Sequence, residues 1–234
     1  MYLYSTHKQQ RFEPGLVSII VPCWNSSSFV SATLISINAQ TYNNIETIVV
    51  DDGSIDCLDT VAVAKEHNST VICKTSNRGA PSARNIGEAV SKGEYLLFCD
   101  SDVILYPSAV EDMVQALRTS YNASWVYCNY MLGDKFMKFW PFSVERFYLI
   151  NCSSTMSMIK HEHFPGWDES IKRFQDWDLF LTMFENGHVP TYVDKILFTA
   201  IDRATGISRN SISEKEAMLA LTQKHKSKKI KRLK

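Results

Sequence analysis

Short apolar runs alternate with stretches of helical spacing through the first half of the chain. Val17-Ser18-Ile19-Ile20-Val21 is β-branched and ends at Pro22, so it reads as a strand with a loop after it. Phe29, Val30, Thr33, Leu34 and Ile37 then recur at helical intervals, which predicts a helix with Ser28 as its N-cap. Ile45 to Val50 is a second strand, a helix follows from about Asp56 to His67, and Thr70 to Lys74 is a third strand. After the loop Asn77-Arg78-Gly79-Ala80-Pro81, a helix from near Ser82 carries Ala83, Ile86 and Val90 on one face, and Gly93 closes it. Tyr95-Leu96-Leu97-Phe98-Cys99 is apolar at every position, the pattern of a strand buried on both faces. Pro107 opens a further helix with Val110, Met113, Val114 and Leu117 on its buried side.

Residues 16–118 thus alternate strand and helix, which means βαβ units and a mainly parallel sheet flanked by helices. Beyond them the alternation weakens. Ser124 to Leu132, Ser153 to Ile159 and Thr191 to Ile201 read as strands, and Gly166-Trp167-Asp168-Glu169 as a turn. Gln175 to Glu185 is an amphipathic helix stopped by Gly187. This half reads as a small antiparallel portion that shapes a second pocket. There is no internal repeat and no clear linker. We divide the chain into an N-terminal extension (1–15), one domain (16–212) and a basic tail (213–234).

Composition changes this picture in two places. The 234 residues carry a formal net charge of zero, but residues 224–234 hold seven of the 25 basic groups, leaving 18 against 25 acids, a body near −7. Clustered Lys and Arg with Ile230 and Leu233 suit an anionic membrane surface as well as a solvated tail. Without interleaved aromatics they do not suit nucleic acid. The six cysteines are scattered, with no Cys-x-x-Cys pair, which points to a reducing compartment and away from zinc or a disulfide framework. Residues 1–13 lack the apolar core of a signal peptide, and no apolar run is long enough to span a bilayer. A cytoplasmic protein, peripheral on the inner face of the membrane if the tail binds there, is the expectation. His161 and His163 read as surface or core histidines rather than metal ligands.

Chemistry collects at strand ends. The second strand ends in Asp51-Asp52-Gly53-Ser54 and the fourth in Asp100-Ser101-Asp102. In an open α/β sheet both should lie on the one rim where ligands bind. Crowding like charges there calls for a compensating cation. Hard carboxylate oxygens suit Mg²⁺ or Mn²⁺, ions that commonly hold phosphates.

These motifs, in this order, resemble those of family 2 glycosyltransferases of the GT-A fold, across roughly residues 16–210. The matching pieces are Val17 to Asn25 with its Pro-x-x-Asn end, Asp51-Asp52-Gly53-Ser54, and Asn77-x-Gly79 with Ala83-Arg84-Asn85-x-Gly87. They continue with Asp100-Ser101-Asp102, Gly166-Trp167-Asp168-Glu169 and Gln175-Asp176-Trp177-Asp178-Leu179. The resemblance implies a nucleotide site of Pro22, Asn25, Asp52, Arg84 and Asp100. Pro22 would lie against the base, Asp52 would accept a hydrogen bond from it, and Arg84 would sit beside it. It also implies a metal site at Asp102 with Asp100, acceptor contacts at Trp167 and Asp168, and Asp176 as general base. Arg203, in Arg203-Ala204-Thr205-Gly206-Ile207-Ser208, would engage the diphosphate.

The activity that the resemblance implies is an inverting, Mn²⁺- or Mg²⁺-dependent transfer from a nucleoside diphosphate sugar to a glycan or lipid-linked acceptor. UDP is the default base and the sugar a hexose or N-acetylhexosamine. Two positions depart from the pattern: Gln175 stands where glutamate is frequent, and Thr205 where histidine is. They keep open a catalytically silent sugar-nucleotide-binding protein. A nucleotidyltransferase would need a Gly-rich loop after the first strand, and a Rossmann dehydrogenase Gly-x-Gly-x-x-Gly; neither is present.

Overall fold

Alternate side chains of the first strand serve two different cores. In the computed structural model, which describes residues 12–202 and 213–225, β1 (Glu13–Cys23) turns Val17, Ile19, Val21 and Cys23 into one apolar cluster and Ile20 into the other. Each fully buried Val or Ile contributes about 1.5–3 kcal/mol, and the period of two fixes the strand's register. The first cluster lies under α1 (Ser27–Asn38), α2 (Cys57–Glu66) and α4 (Ala109–Thr119). The second lies under α3 (Ala80–Val90) and α6 (Gln175–Glu185).

β2 (Ile45–Asp51) and β4 (Gly93–Phe98) flank β1 in parallel, and β3 (Thr70–Cys73) extends beyond β2. Cys23, Asp51 and Cys73 stand in register, so these strands end on one rim. The sheet then turns mixed. β8 (Met158–Lys160) is antiparallel to β4 and to β6 (Ala123–Leu132), while β6 runs parallel to β9 (Val189–Ala200). β5 (Val103–Leu105) forms the far edge, and β7 (Lys135–Met137) forms a hairpin with β6. The expected antiparallel portion is therefore continuous with the parallel half, and β6–β9 is a parallel pair within it.

Several expectations shift locally. α1 starts two residues earlier than expected, with Ser26 in place of Ser28 at the N-cap position, and α3 starts at Ala80 because Pro81 fits a first helical turn. Pro107 precedes α4 rather than opening it. Only the end of the expected 153–159 strand pairs, because Ser157 N–H and Oγ both donate to the Ser154 carbonyl in a turn. His161 and His163 lie in a short 3₁₀ turn; His161 is buried between the Gly93 carbonyl and Glu88. α5 (Val144–Phe147) covers Trp125.

The basic tail does not begin where it was expected. α7 (Glu214–Lys224) has a Ser213–Glu216 capping box and buries Ala217 and Leu221 against the domain. Lys224 reaches both Asp168 and Asp178 at 2.8 Å, so one of the tail's cations is already neutralised on the body. Among the described residues, no helix is long and apolar enough to cross a membrane.

Candidate active site

The rim of the parallel half forms one wall of an open cleft of about 1010 Å³, and the start of α6 forms the other. Pro22, Asn25, Asp52, Arg84, Asp100, Asp102 and Asp176 all line it.

Two buried cations organise the acids on the rim. Lys74, the residue after β3, pairs with Asp52 and bonds Ser82 Oγ. Asp52 also accepts from the backbone N–H of Arg78 and, at 2.7 Å, of Gly79. Its carboxylate thus holds the 77–79 loop, with little acceptor capacity left over for a base. Asp51 is fully buried and accepts from Ser54 N–H at 2.9 Å. Gly53 has φ +75° and would place a Cβ 2.6 Å from the Ser76 backbone, which explains the glycine in this turn. Asn25, itself at φ 48°, accepts from Ile55 N–H and gives its own N–H to Ser54 Oγ, tying the first loop to the second.

Arg84 is the second cation, and it is not an open neighbour of the base site. Its guanidinium is buried, donates to Asp100 Oδ1 at 2.7 Å and to Gln175 Oε1 at 3.4 Å, and lies 4.6 Å over the Trp167 ring. It therefore braces the Asp-x-Asp turn against the start of α6, with Gln175 as acceptor in the position where glutamate is frequent. The rest of the α3 motif is also explained. Asn85 clasps the Trp167 backbone by both its N–H and its carbonyl, and a Cβ on Gly87 would come 2.4 Å from Ile20, so glycine lets the helix seat on β1.

Asp100 and Asp102 flank a tight turn closed by Val103 N–H donating to the Asp100 carbonyl. Asp100 keeps one oxygen outside the Arg84 pair, and its side chain is 38% exposed. No group of three or more His, Cys, Asp or Glu able to hold a metal occurs among the described residues. Two carboxylates lining an open cleft fit Mg²⁺ or Mn²⁺, which take one or two protein carboxylates and complete their shell with substrate phosphates and water.

Asp176 faces the cleft from the other wall. Phe174 just before it is left-handed (φ 61°), a strained geometry for a bulky residue that starts α6 abruptly. Asn151 Nδ2 donates to Asp176 Oδ2 at 2.8 Å and Trp177 N–H to Oδ1 at 2.9 Å. Burial raises the Asp176 carboxyl above its usual range, and these hydrogen bonds, with the Arg84 charge, pull partly back.

The two residues expected on the acceptor side, Trp167 and Asp168, do not line this cleft. Trp167 is 4% exposed, with Phe98 against it edge-on and Arg84 over its face, so its ring is not open for stacking in the cleft. Asp168 lies outside the cleft, held by Lys224 and Ser170, which bring its carboxyl down to about 2. Glu169 pairs with Arg78 at 3.0 Å, so this turn fastens α3, the 78 loop and α7 together. Arg203 and Thr205 lie outside the described residues. Sequence reasoning missed Lys74, whose place at a strand end on the acidic rim was the available signal. It also missed Asn151, which no motif marks.

The family model for glycosyl transferase family 2 matches residues 18–178. An uncharacterised glycosyltransferase of Rickettsia typhi is 31% identical over 90% of this chain and 72% of its own length. The Escherichia coli protein WfaP, a UDP-Glc:α-D-GlcNAc-diphosphoundecaprenol β-1,3-glucosyltransferase, is 30% identical over 74% of this chain and 71% of its own. Among solved structures, Staphylococcus aureus TarS 1–349 with UDP-GlcNAc superimposes with a TM-score of 0.72 at 20% identity, covering 89% of this chain and 66% of TarS 1–349. Mycobacterium tuberculosis glucosyl-3-phosphoglycerate synthase with Mn²⁺ and UDP-glucose gives 0.66 at 18%, covering 90% and 80%. The chain belongs to glycosyl transferase family 2 and has the GT-A fold of these neighbours; by family it is a glycosyltransferase. It spans from 30% to 72% of the length of the first curated relatives it matches.

Proposed function

We propose that the chain transfers a sugar from a nucleoside diphosphate donor, UDP as the base, to a hydroxyl of a glycan or lipid-linked acceptor, with inversion at the anomeric carbon. The observation that carries this reading is the facing of Asp176 and the Asp100–Asp102 pair across one cleft. Inversion in a single displacement requires a base on the side opposite the departing diphosphate, and this cleft has a carboxylate on each wall.

Asp176 would take the proton of the acceptor hydroxyl at one carboxylate oxygen. Its burial makes it a stronger base than a solvated aspartate, and Asn151 and the Trp177 N–H keep it oriented and favour its ionised form. Asp102, with the free oxygen of Asp100, would hold Mn²⁺ or Mg²⁺, and the ion when bound would supply positive charge to the departing diphosphate. Lys172 and Arg173 also line the cleft and add cationic character near the phosphates. Complexes of TarS with UDP-GlcNAc and of the mycobacterial synthase with Mn²⁺ and UDP-glucose support donor and ion, and the lipid-linked substrate named for WfaP supports the acceptor class. A peripheral place on the inner membrane face belongs to the same proposal, with Lys224 already committed to Asp168 and Asp178.

The test is hydrolysis and transfer over a panel of nucleotide sugars with Mn²⁺ or Mg²⁺, comparing wild type with Asp176→Asn. One donor should turn over only with metal, and the variant should keep nucleotide binding while losing transfer. Nucleotide binding with no turnover of any donor, even with membrane extract as acceptor, would instead make this a silent sugar-nucleotide-binding protein.

A further inference from the structure

Four of the six cysteines, Cys23, Cys99, Cys128 and Cys152, are buried, and burial pushes their thiols upward. The other two are not fully buried and lie against each other. Cys73 ends β3 and is exposed, Cys57 opens α2 and is half-buried, and their sulfurs lie 2.8 Å apart. A disulfide needs about 2.05 Å between sulfurs, so less than an ångström separates this pair from bonding distance. The two lie sixteen positions apart in sequence with no Cys-x-x-Cys, which gives no hint of the pairing.

We propose that Cys57 and Cys73 form a redox-active dithiol that closes into a reversible disulfide when it meets a low-molecular-weight disulfide. Cys73 is the point of attack, because it is exposed while burial and the Cys73 thiol together push Cys57 up to about 12. The Cys73 thiolate attacks one sulfur of the small disulfide and expels the first small thiolate. Cys57, its hydrogen bond to a Cys73 thiol now gone, attacks the Cys73 sulfur of the mixed disulfide and expels the second. The two cysteines lose two electrons and two protons, and the small disulfide gains both as two free thiols. The bond lies beside the nucleotide wall: Cys73 pairs in register with Asp51, and Lys74, next in sequence, holds Asp52. It would fix the start of α2 to the end of β3 around the Asp51–Ser54 turn.

The full chain is incubated with oxidised glutathione, quenched with acid, and mapped by mass spectrometry of non-reduced peptides. The expected result is a linked Cys57–Cys73 peptide, the loss of two of the six titratable thiols, and their return with dithiothreitol. Cys57→Ser should instead accumulate a stable glutathione adduct on Cys73, and Cys73→Ser should yield neither product. Stable glutathione on Cys73 of the wild type with Cys57 still free would overturn the proposal, as would recovery of both as free thiols. The wild-type map decides even if a variant folds poorly, and far-UV circular dichroism checks that it has not.

Discussion

Asp168 and Asp176 both precede or open α6, both come from motifs of the same family, and they end in opposite surroundings. Asp168 faces Lys224 and the Ser170 hydroxyl, and its carboxyl falls to about 2. Asp176 faces the cleft with an amide and one backbone N–H for company, and burial raises it. An acid with a full set of partners is held for structure. One that is desolvated, oriented and left with basicity to spare is equipped for proton transfer. The same contrast separates Asp52, saturated by Lys74 and the 78–79 backbone, from Asp100, which shares only one oxygen with Arg84.

The largest effect should come from Asp176→Asn, which keeps the shape but removes the base. Transfer should fall by about a hundred- to ten-thousandfold in kcat/KM, while nucleotide affinity, read by calorimetry, stays within a few-fold. A loss shared equally by binding and turnover would break the comparison. The raised Asp176 carboxyl gives the wild type an acid limb: transfer should decline as pH falls through that value, because the base must be ionised, and Asp168→Asn should leave the limb where it is. Next in size is Arg84→Lys. A single ammonium cannot reproduce the fork that reaches Asp100 and Gln175 while stacking on Trp167. Unfolding in urea should show a loss of about 1–3 kcal/mol, below the full cost of breaking a buried pair because Asp100 is partly exposed. Turnover should fall further than donor affinity, since Arg84 braces both walls of the cleft.

The four strands of the parallel half and the acids at their ends were legible, because period-two and helical spacings report burial, whereas the short strands β5 and β7 were not. Pro22, Asn25, Asp52, Arg84, Asp100, Asp102 and Asp176, which line the cleft, were picked out by the resemblance of their motifs to those of the family rather than by spacing. What the motifs could not tell was which way each member faces. Trp167 carries the right chemistry for a sugar, yet Asn85 grips its backbone and Arg84 covers its ring, and those contacts join residues 82 or 83 positions apart. The docking of α7 was hidden too. Its basic end looks like a solvated tail until Asp168, Asp178 and Glu185 from a distant stretch are seen to meet it.

That docking supplies the smallest effect, and it has two pH edges. His225 is buried between Asp178 and Glu185; burial alone would lower it, but the two carboxylates more than offset this and raise it above its ordinary 6.5. A raised histidine contributes stability below its unfolded value and loses that contribution as pH rises through its folded one. Asp168 works in reverse: its contribution is present above about 4 and disappears as pH falls toward 2. Protection of the 218–222 amides, taken relative to intrinsic exchange at each pH, should therefore be greatest in the mildly acidic range and fall on both sides. Asp168→Asn should cost about 0.5–1 kcal/mol, the size of a partly exposed pair, and remove the acid edge alone. His225→Gln should remove the alkaline edge alone. Transfer should change less than twofold in Asp168→Asn, because neither Asp168 nor α7 lines the cleft. A large loss of turnover in that variant would return Asp168 to the acceptor side, and the contrast between the two aspartates would fail.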